Sequence, residues 1–145
     1  MANNVLVKDI MTKNVPVVHN DNTMQEVVDM MVKDDLSYMM VEMQGKPTGI
    51  MTEHDILVRL VSQGLAPKSV IARMVYTNPI FTIDEDATIE EAVQMMNHWG
   101  VKHLPVTGKQ GELVGVITAE NIILAVPSKI PELTELCKPG YKRVR

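Results

Sequence analysis

The chain has 145 residues, 46% of them hydrophobic and 22% charged, with a formal net charge of −4. That composition excludes general disorder, and the negative charge argues against non-specific nucleic-acid binding, which depends on Lys and Arg neutralising phosphates. The single cysteine, Cys137, excludes an intramolecular disulfide and a cysteine-based zinc site, while 12 Met against 1 Trp, 1 Phe and 3 Tyr predict an aliphatic and thioether core.

In chain order, the β-branched run 16–18 predicts a short strand. Thr23-x-x-Glu26 is a capping box and opens a helix whose apolar stripe is Met24, Val27, Val28 and Met31. Residues 38–42 and 48–51 read as strands joined by a hairpin turn at Gln44-Gly45-Lys46. A second helix follows Thr52, carrying Ile56, Leu57, Leu60 and Val61, and 67–74 is expected to be a helical connection. The same order then returns. Residues 80–83 predict a strand, Thr88-x-x-Glu91 caps a helix with the stripe Ile89, Ala92, Val93 and Met96, and strands are expected at 103–107 and 113–117. The last helix follows Thr118 and carries Ile122, Ile123 and Val126. Beyond Pro127 the periodicity stops, which predicts a tail of weak structure with basic Lys138, Lys142, Arg143 and Arg145.

This is an internal repeat. Asp21, Thr23, Glu26, Val28, Met30, Met31 and Val41 recur as Asp86, Thr88, Glu91, Val93, Met95, Met96 and Val106 at an offset of 65. Gln44, Gly45, Gly49, Thr52 and Ile56 recur as Gln110, Gly111, Gly115, Thr118 and Ile122 at an offset of 66. The expected fold class is mixed α/β, two β-α-β-β-α repeats. Their expected spans are 1–64 and 65–126, the second including a connecting segment 65–78, with a tail at 127–145. A unit of about 60 residues is marginal alone, so the halves are expected to share a core as one module, related by a pseudo-two-fold and packed through their sheets.

The informative positions lie where the last strand of each repeat meets the last helix, at Gly49-Ile-Met-Thr52-Glu-His-Asp55 and Gly115-Val-Ile-Thr118-Ala-Glu-Asn121. Helix N-termini offer unpaired N–H groups, and Asp55 adds a fixed acceptor. Thr-x-x-Asp is equally an ordinary N-cap. The stretch Gly100-Val-Lys-His-Leu-Pro105-Val106 sets basic Lys102 and His103 beside an apolar strand, either to meet an anion or as a solvated edge pair.

The combined pattern resembles the CBS domain, and two in tandem resemble a stand-alone CBS pair, or Bateman module, over residues 7–126. The phrases that carry it are Asp9-Ile-Met-Thr12, Gly49-Ile-Met-Thr-Glu-His-Asp-Ile56, Asp86-Ala-Thr-Ile-Glu-Glu-Ala92 and Gly100-Val-Lys-His-Leu-Pro-Val106. The resemblance implies a regulatory sensor that binds an adenosine-containing ligand (AMP, ADP or ATP, with S-adenosylmethionine, NAD or a dinucleotide as alternatives) and signals to a partner. In the first repeat it implies Val15, Pro16, Leu36, Ser37, Tyr38 and Ile50 around the base, Thr52 toward the phosphate, Asp55 on the ribose, and His54 at a position where the family often has Arg. In the second it implies Ile80, Phe81, Val101, Lys102, His103, Pro105, Val116, Thr118 and Asn121. Asn121 stands where the pattern has Asp, which weakens the expected ribose contact there. For the first repeat, phosphate contacts are expected from Arg59, Arg73, Lys102 or His103.

The resemblance also implies a homodimer. A ligand-independent dimerising scaffold is the competing reading. No nucleophile elbow, P-loop or Gly-x-Gly-x-x-Gly occurs, and His19, His54, His98 and His103 lack ligand spacing, so neither an enzyme, a resident cofactor nor a metal site is expected. The N-terminal residues lack a basic and apolar leader pattern and no apolar run reaches about 18 residues, so a cytoplasmic setting away from membranes is expected.

Overall fold

The computed structural model describes residues 5–76 and 81–138. The elements in chain order are α1 (Val7–Ile10), β1 (Val17–His19), α2 (Met24–Asp34), β2 (Tyr38–Met43), β3 (Lys46–Thr52), α3 (Glu53–Ile56), β4 (Ile83–Asp84), α4 (Ile89–Trp99), β5 (His103–Thr107), β6 (Leu113–Thr118), α5 (Ala119–Ala125) and α6 (Ile130–Leu133). Helix α3 continues as a π-helical turn over Leu57–Val61, closed by the Ser62 N–H donating to the Leu57 carbonyl five residues back. Mixed α/β architecture and the repeated element order are therefore as expected. There are two three-stranded sheets, ordered β1-β2-β3 and β4-β5-β6, each with a parallel first pair and an antiparallel second pair. A register shift falls at equivalent places, Val41/Glu42 and Val106/Thr107.

Local chemistry sets these boundaries. Thr23 Oγ1 accepts from the Glu26 N–H at 3.2 Å while the Glu26 carboxylate accepts from the Thr23 N–H at 3.1 Å, and Thr88 with Glu91 repeats both bonds. The Thr23 N–H and hydroxyl hold the Glu26 carboxyl below the usual carboxylate range. The turn between β2 and β3 is tight, with Gln44 and Gly45 both at positive φ (55° and 77°), as a two-residue hairpin requires. The β5–β6 connection is longer and turns at Gly111 (φ 78°), and the one-residue insertion that changes the repeat offset falls there.

The chain divides into two compact units that do not coincide with the expected repeats 1–64 and 65–126. Residues 5–14 fold with 81–138, and 15–76 form the other unit. Each repeat is crossed by a short strap from elsewhere in the sequence. In one unit the Val7 N–H donates to the Ala87 carbonyl (2.8 Å) and the Lys8 N–H to the Glu85 carbonyl (3.0 Å). In the other, Ala72 and Arg73 donate to the Asn22 and Asn20 carbonyls at 2.8 and 3.0 Å, the same bonds at the same offset. Lys8 Nζ also pairs with Asp86 at 2.8 Å, which lowers the Asp86 carboxyl from its ordinary value and raises the Lys8 ammonium. The second strap consists of two 3-10 turns, Pro67–Ser69 and Ala72–Met74, in place of the helix expected over 67–74.

Two glycines admit the straps. A Cβ on Gly115 would lie 2.7 Å from the Thr12 carbonyl oxygen, and one on Gly49 would lie 2.1 Å from the Tyr76 ring. The cores differ in chemistry. In the 15–76 unit Met24, Met31, Met39 and Met51 pack with Val18, Val27, Val41 and Leu60. In the other unit Ile83, Ile89, Val93, Leu104, Val106, Ile117 and Ile122 pack around Met96.

Three expectations are corrected. Strand β1 starts at Val17, because Pro16 lacks the ladder N–H, and within the described part of 80–83 only Ile83 is in a strand. The region after Pro127 is not weakly structured through residue 138: it forms Pro127–Lys129, α6 and Glu135–Cys137, and Leu133 and Leu136 are fully buried in the core of their unit. Their spacing was too short for a periodicity signal, and Pro131 sits in the first turn of α6, where its missing N–H costs nothing. Leu133→Ala is expected to lower unfolding free energy by about 2–5 kcal/mol, measured by urea denaturation. A loss below about 0.5 kcal/mol would be the surface behaviour that a loose tail should show.

Candidate functional site

Each repeat has its candidate residues where β3 or β6 runs into the following helix. In the 15–76 unit the antiparallel register sets Tyr38 opposite Thr52 and Met40 opposite Ile50. The parallel register sets Met40 beside Val17, and the Met40 N–H donates to the Pro16 carbonyl at 3.0 Å. Met39, Val41 and Met51 point to the helix-covered core, so by alternation Tyr38, Met40, Ile50 and Thr52 share the opposite face. Ser37 is fixed beside them, its carbonyl accepting from the first N–H of α3, Glu53, at 3.2 Å.

Thr52 and Asp55 are joined by three hydrogen bonds. Thr52 Oγ1 accepts from the Asp55 N–H at 3.3 Å and donates to Asp55 Oδ2 at 3.0 Å, and the Thr52 N–H donates to the same oxygen at 3.0 Å. Asp55 is only 2% exposed, in contrast with the exposed Glu26 and Glu91 that close the Thr caps of α2 and α4. A buried carboxyl oxygen fixed by donors at a helix start is an acceptor of set position, which suits a ligand offering hydroxyl donors.

The second repeat copies the frame and changes the chemistry. His103 stands opposite Thr118 and Pro105 opposite Val116, and the Ala119 N–H donates to the Lys102 carbonyl at 2.9 Å. Thr118 caps α5 through the Asn121 N–H (3.0 Å), and Asn121 Oδ1 accepts from the Thr118 N–H at 2.9 Å. The Asn121 amide then donates outward to Thr12 Oγ1 at 3.4 Å. Thr12 and Val116 exchange both backbone bonds at 2.9 Å, so the strap lies directly on this strand.

The structure thus brings together Pro16, Ser37, Tyr38, Ile50, Thr52 and Asp55, and separately Lys102, His103, Pro105, Val116, Thr118 and Asn121. Val15 immediately precedes this frame, and His54 is exposed in the first turn of α3. Leu36 and Val101 are not part of it: both pack against the helix-side cores, and Leu36 lines a groove of about 360 Å³ between α2 and α3. Phe81 also belongs to its core, stacked on Trp99 with centroids 4.4 Å apart. Ile80 lies outside the described residues. Arg59 is committed to the strap, donating to the Tyr76 carbonyl at 3.1 Å. Two residues were missed. Met40 is fully buried on the site face, and Thr12 reaches Asn121 from 109 positions away. Thr12 was visible in Asp9-Ile-Met-Thr12, but nothing local says that this phrase packs on the other repeat. No group of His, Cys, Asp or Glu suited to a metal ion occurs among the described residues, and none of their helices is long and apolar enough to cross a membrane.

Comparison with known proteins places this geometry. The profile of the CBS domain matches residues 7–62 and 72–128. An uncharacterised protein of Methanopyrus kandleri is 35% identical over 102 residues, 70% of this chain and 52% of that protein, so the chain spans about half of that relative's length. An uncharacterised protein of Methanocaldococcus jannaschii is 30% identical over 139 residues, 94% of this chain and 74% of that one. Among solved structures, a CBS-domain protein of Thermoplasma acidophilum superposes with a TM-score of 0.81 at 22% identity, covering 91% of this chain and 75% of that one. CBSX2 in complex with AMP gives 0.72 at 20%, covering 85% and 96%. The CBS pair of protein MJ0100, in complex with 5′-methylthioadenosine and S-adenosyl-L-methionine, gives 0.74 at 24%, covering 83% and 98%.

Removing the cap hydroxyl tests how far Thr52 is structural. Thr52→Ala is expected to cost about 0.5–2 kcal/mol of stability, read by chemical denaturation. An unchanged midpoint would remove the capping role.

Proposed function

The chain belongs to the CBS-domain family, and we propose that it is a regulatory module whose first repeat binds an adenosine-containing ligand, AMP, ADP or ATP, at Thr52 and Asp55. The observation that carries this is the buried Asp55 carboxylate, bonded to Thr52 on the sheet face that Tyr38 and Ile50 share. A ribose diol offers two hydroxyl donors, and a fixed carboxylate accepts both with charge assistance. The ligands named for CBSX2 and for MJ0100 have adenosine in common, which supports the ligand class. The second repeat is the weaker ribose site in this reading, because Asn121 is neutral and its amide is turned to Thr12. Lys102 and His103 give that repeat the cationic character that suits a phosphate. The module works in the cytoplasm as a homodimer, without chemistry or cofactor of its own, and signals to a protein partner.

A ligand-independent scaffold is the second reading. Leu57 and Val61 favour it, 57% and 61% exposed along the helical continuation of α3, an apolar edge suited to association.

A thermal-shift panel of AMP, ADP, ATP, S-adenosylmethionine and NAD tests both. A ligand at 100 times its dissociation constant stabilises by about 2.7 kcal/mol, a rise of several degrees at this size. A flat panel together with a stable dimer in sedimentation selects the scaffold. Asp55→Asn copies the Asn121 arrangement and so retains the cap, while removing a charged hydrogen bond worth about 1.5–3 kcal/mol. Calorimetry is expected to show at least roughly tenfold weaker binding. Unchanged affinity moves the ligand away from the first repeat.

A further inference from the structure

The second repeat carries a depression that none of the roles above uses. It has a volume of about 680 Å³ and lies between the short edge strand β4 and the outer face of α4. Met95 and Trp99 are its half-buried apolar wall, and Phe81 backs that wall by stacking on Trp99 with centroids 4.4 Å apart. Asp84 and Glu91 line it as exposed carboxylates. Each has one oxygen fixed by a main-chain N–H, Asp84 Oδ1 by Asp86 at 2.8 Å and Glu91 Oε2 by Thr88 at 3.1 Å. Neither has a cationic partner among the described residues, although the neighbouring Asp86 and Glu90 are paired with Lys8 and Lys129. The described residues that line the depression include no Lys or Arg. The first repeat has a different chemistry at these positions, with His19, Lys33 and Asp34 in place of Asp84, His98 and Trp99.

This is also the repeat to which the C-terminal segment is fastened. Lys129 pairs with Glu90, and Asn97 Nδ2 donates to the Glu132 carbonyl at 2.8 Å, so the segment runs along α4 from its start toward its end. Leu136 is buried in the same core as α4, two residues before the last described residue, Lys138. Positions 90 and 97, which hold the segment, and positions 91, 94 and 98, which line the depression, are neighbouring faces of one helix at 3.6 residues per turn. The sequence continues as Pro139-Gly-Tyr-Lys-Arg-Val-Arg145, with three cations and no Asp or Glu. Seven residues reach at most roughly 23–25 Å, about twice the diameter of a helix with its side chains.

We propose that this depression is the seat of the chain's own residues 139–145, with Tyr141 against Met95 and Trp99 and the cations of Lys142 and Arg143 at Asp84 and Glu91. Thioether–aromatic contact and opposite charge supply the complementarity. Attachment one helix face away favours this chain's own tail over any other molecule, because a short tether holds it at an effective concentration on the order of millimolar. The basic tail is then a part of the second repeat and is not presented to nucleic acid or to a partner. The seat stands whether or not Thr52 and Asp55 hold a nucleotide, since they belong to the other unit.

Trp99 is the single Trp, so its fluorescence reports on the seat. Ending the chain at Lys138 is expected to raise the acrylamide quenching constant of Trp99 by about twofold at an unchanged melting temperature, because a seat supplied by a short tether is mostly filled. Asp84→Asn with Glu91→Gln keeps the oxygens that hold the Asp86 and Thr88 N–H groups while removing both charges. It is expected to raise quenching in the full chain in the same direction, as is high salt. A nitroxide at Val144→Cys in a Cys137→Ser background is expected to broaden the Met95 methyl and Trp99 indole NMR signals of the same molecule. The proposal is overturned if quenching is the same with and without the tail, if the neutralised carboxylates leave it unchanged, or if the nitroxide broadens neither signal. It is equally overturned if an isotope-enriched chain without the nitroxide is broadened on mixing with labelled, unenriched chain, since the seat would then hold the tail of another copy.

Discussion

The close passage of a backbone strap over the third strand of each sheet is the constraint on which the rest depends. A unit of about 60 residues cannot bury enough surface by itself, and here each repeat adds a strap, the second from the far N-terminal residues 5–14 and the first from the stretch that directly follows its last helix. The approach is possible only where the crossed strand has no side chain, which is why Gly115 lies under Thr12 and Gly49 under Tyr76. Val7 enters the core of the second repeat through its strap, and Val70, Ala72 and Val75 enter that of the first. The same crossing puts Thr12 against Asn121, so a contact of the candidate site is a by-product of how the unit closes.

Capping chemistry is the second recurring device, and it shows why a motif alone does not identify a site. Four helices among the described residues, α2 to α5, start from a Thr whose hydroxyl accepts from the N3 amide, with a Glu, Asp or Asn reaching back. Locally these are one structure. What separates Asp55 is burial, and burial is set by the strand register and the chain around it, not by the four residues of the motif. At Glu26 the same bonds hold an exposed carboxylate in its charged form and do nothing more. The shift from Asp55 to Asn121 turns the acceptor of one repeat into the strap anchor of the other.

Element type and order were legible because each repeat states them twice: two capping boxes, two apolar stripes and two glycine turns agree on the same plan. The Thr52–Asp55 and Thr118–Asn121 frames were legible for the same reason. Strap exchange was not, since Asp9-Ile-Met-Thr12 carries no local sign of which repeat it crosses. The family resemblance implies Phe81 and Val101 as ligand-facing, yet Phe81 stacks on Trp99 and Val101 packs on the helix-side core. Leu36, implied in the same way, packs on the core of the first repeat. The buried C-terminal leucines were missed because a four-residue helix between two 3-10 turns gives no period to detect.

The abundance of methionine gains a physical reading from the unequal cores. The 15–76 unit, with Met24, Met31, Met39 and Met51, is filled by unbranched thioethers that settle into irregular space, whereas branched Ile and Val dominate the other. Branched side chains specify one packing more sharply, and that unit is also the one sealed by Leu133 and Leu136. Adaptable packing and an open helical groove therefore coincide in the repeat that also carries the charged Asp55. Glu53 joins the two features: its N–H is held by Ser37 in the site frame, one residue after Thr52, and the residue lines the groove. The first turn of α3 therefore borders the site frame through its backbone and the groove through the Glu53 side.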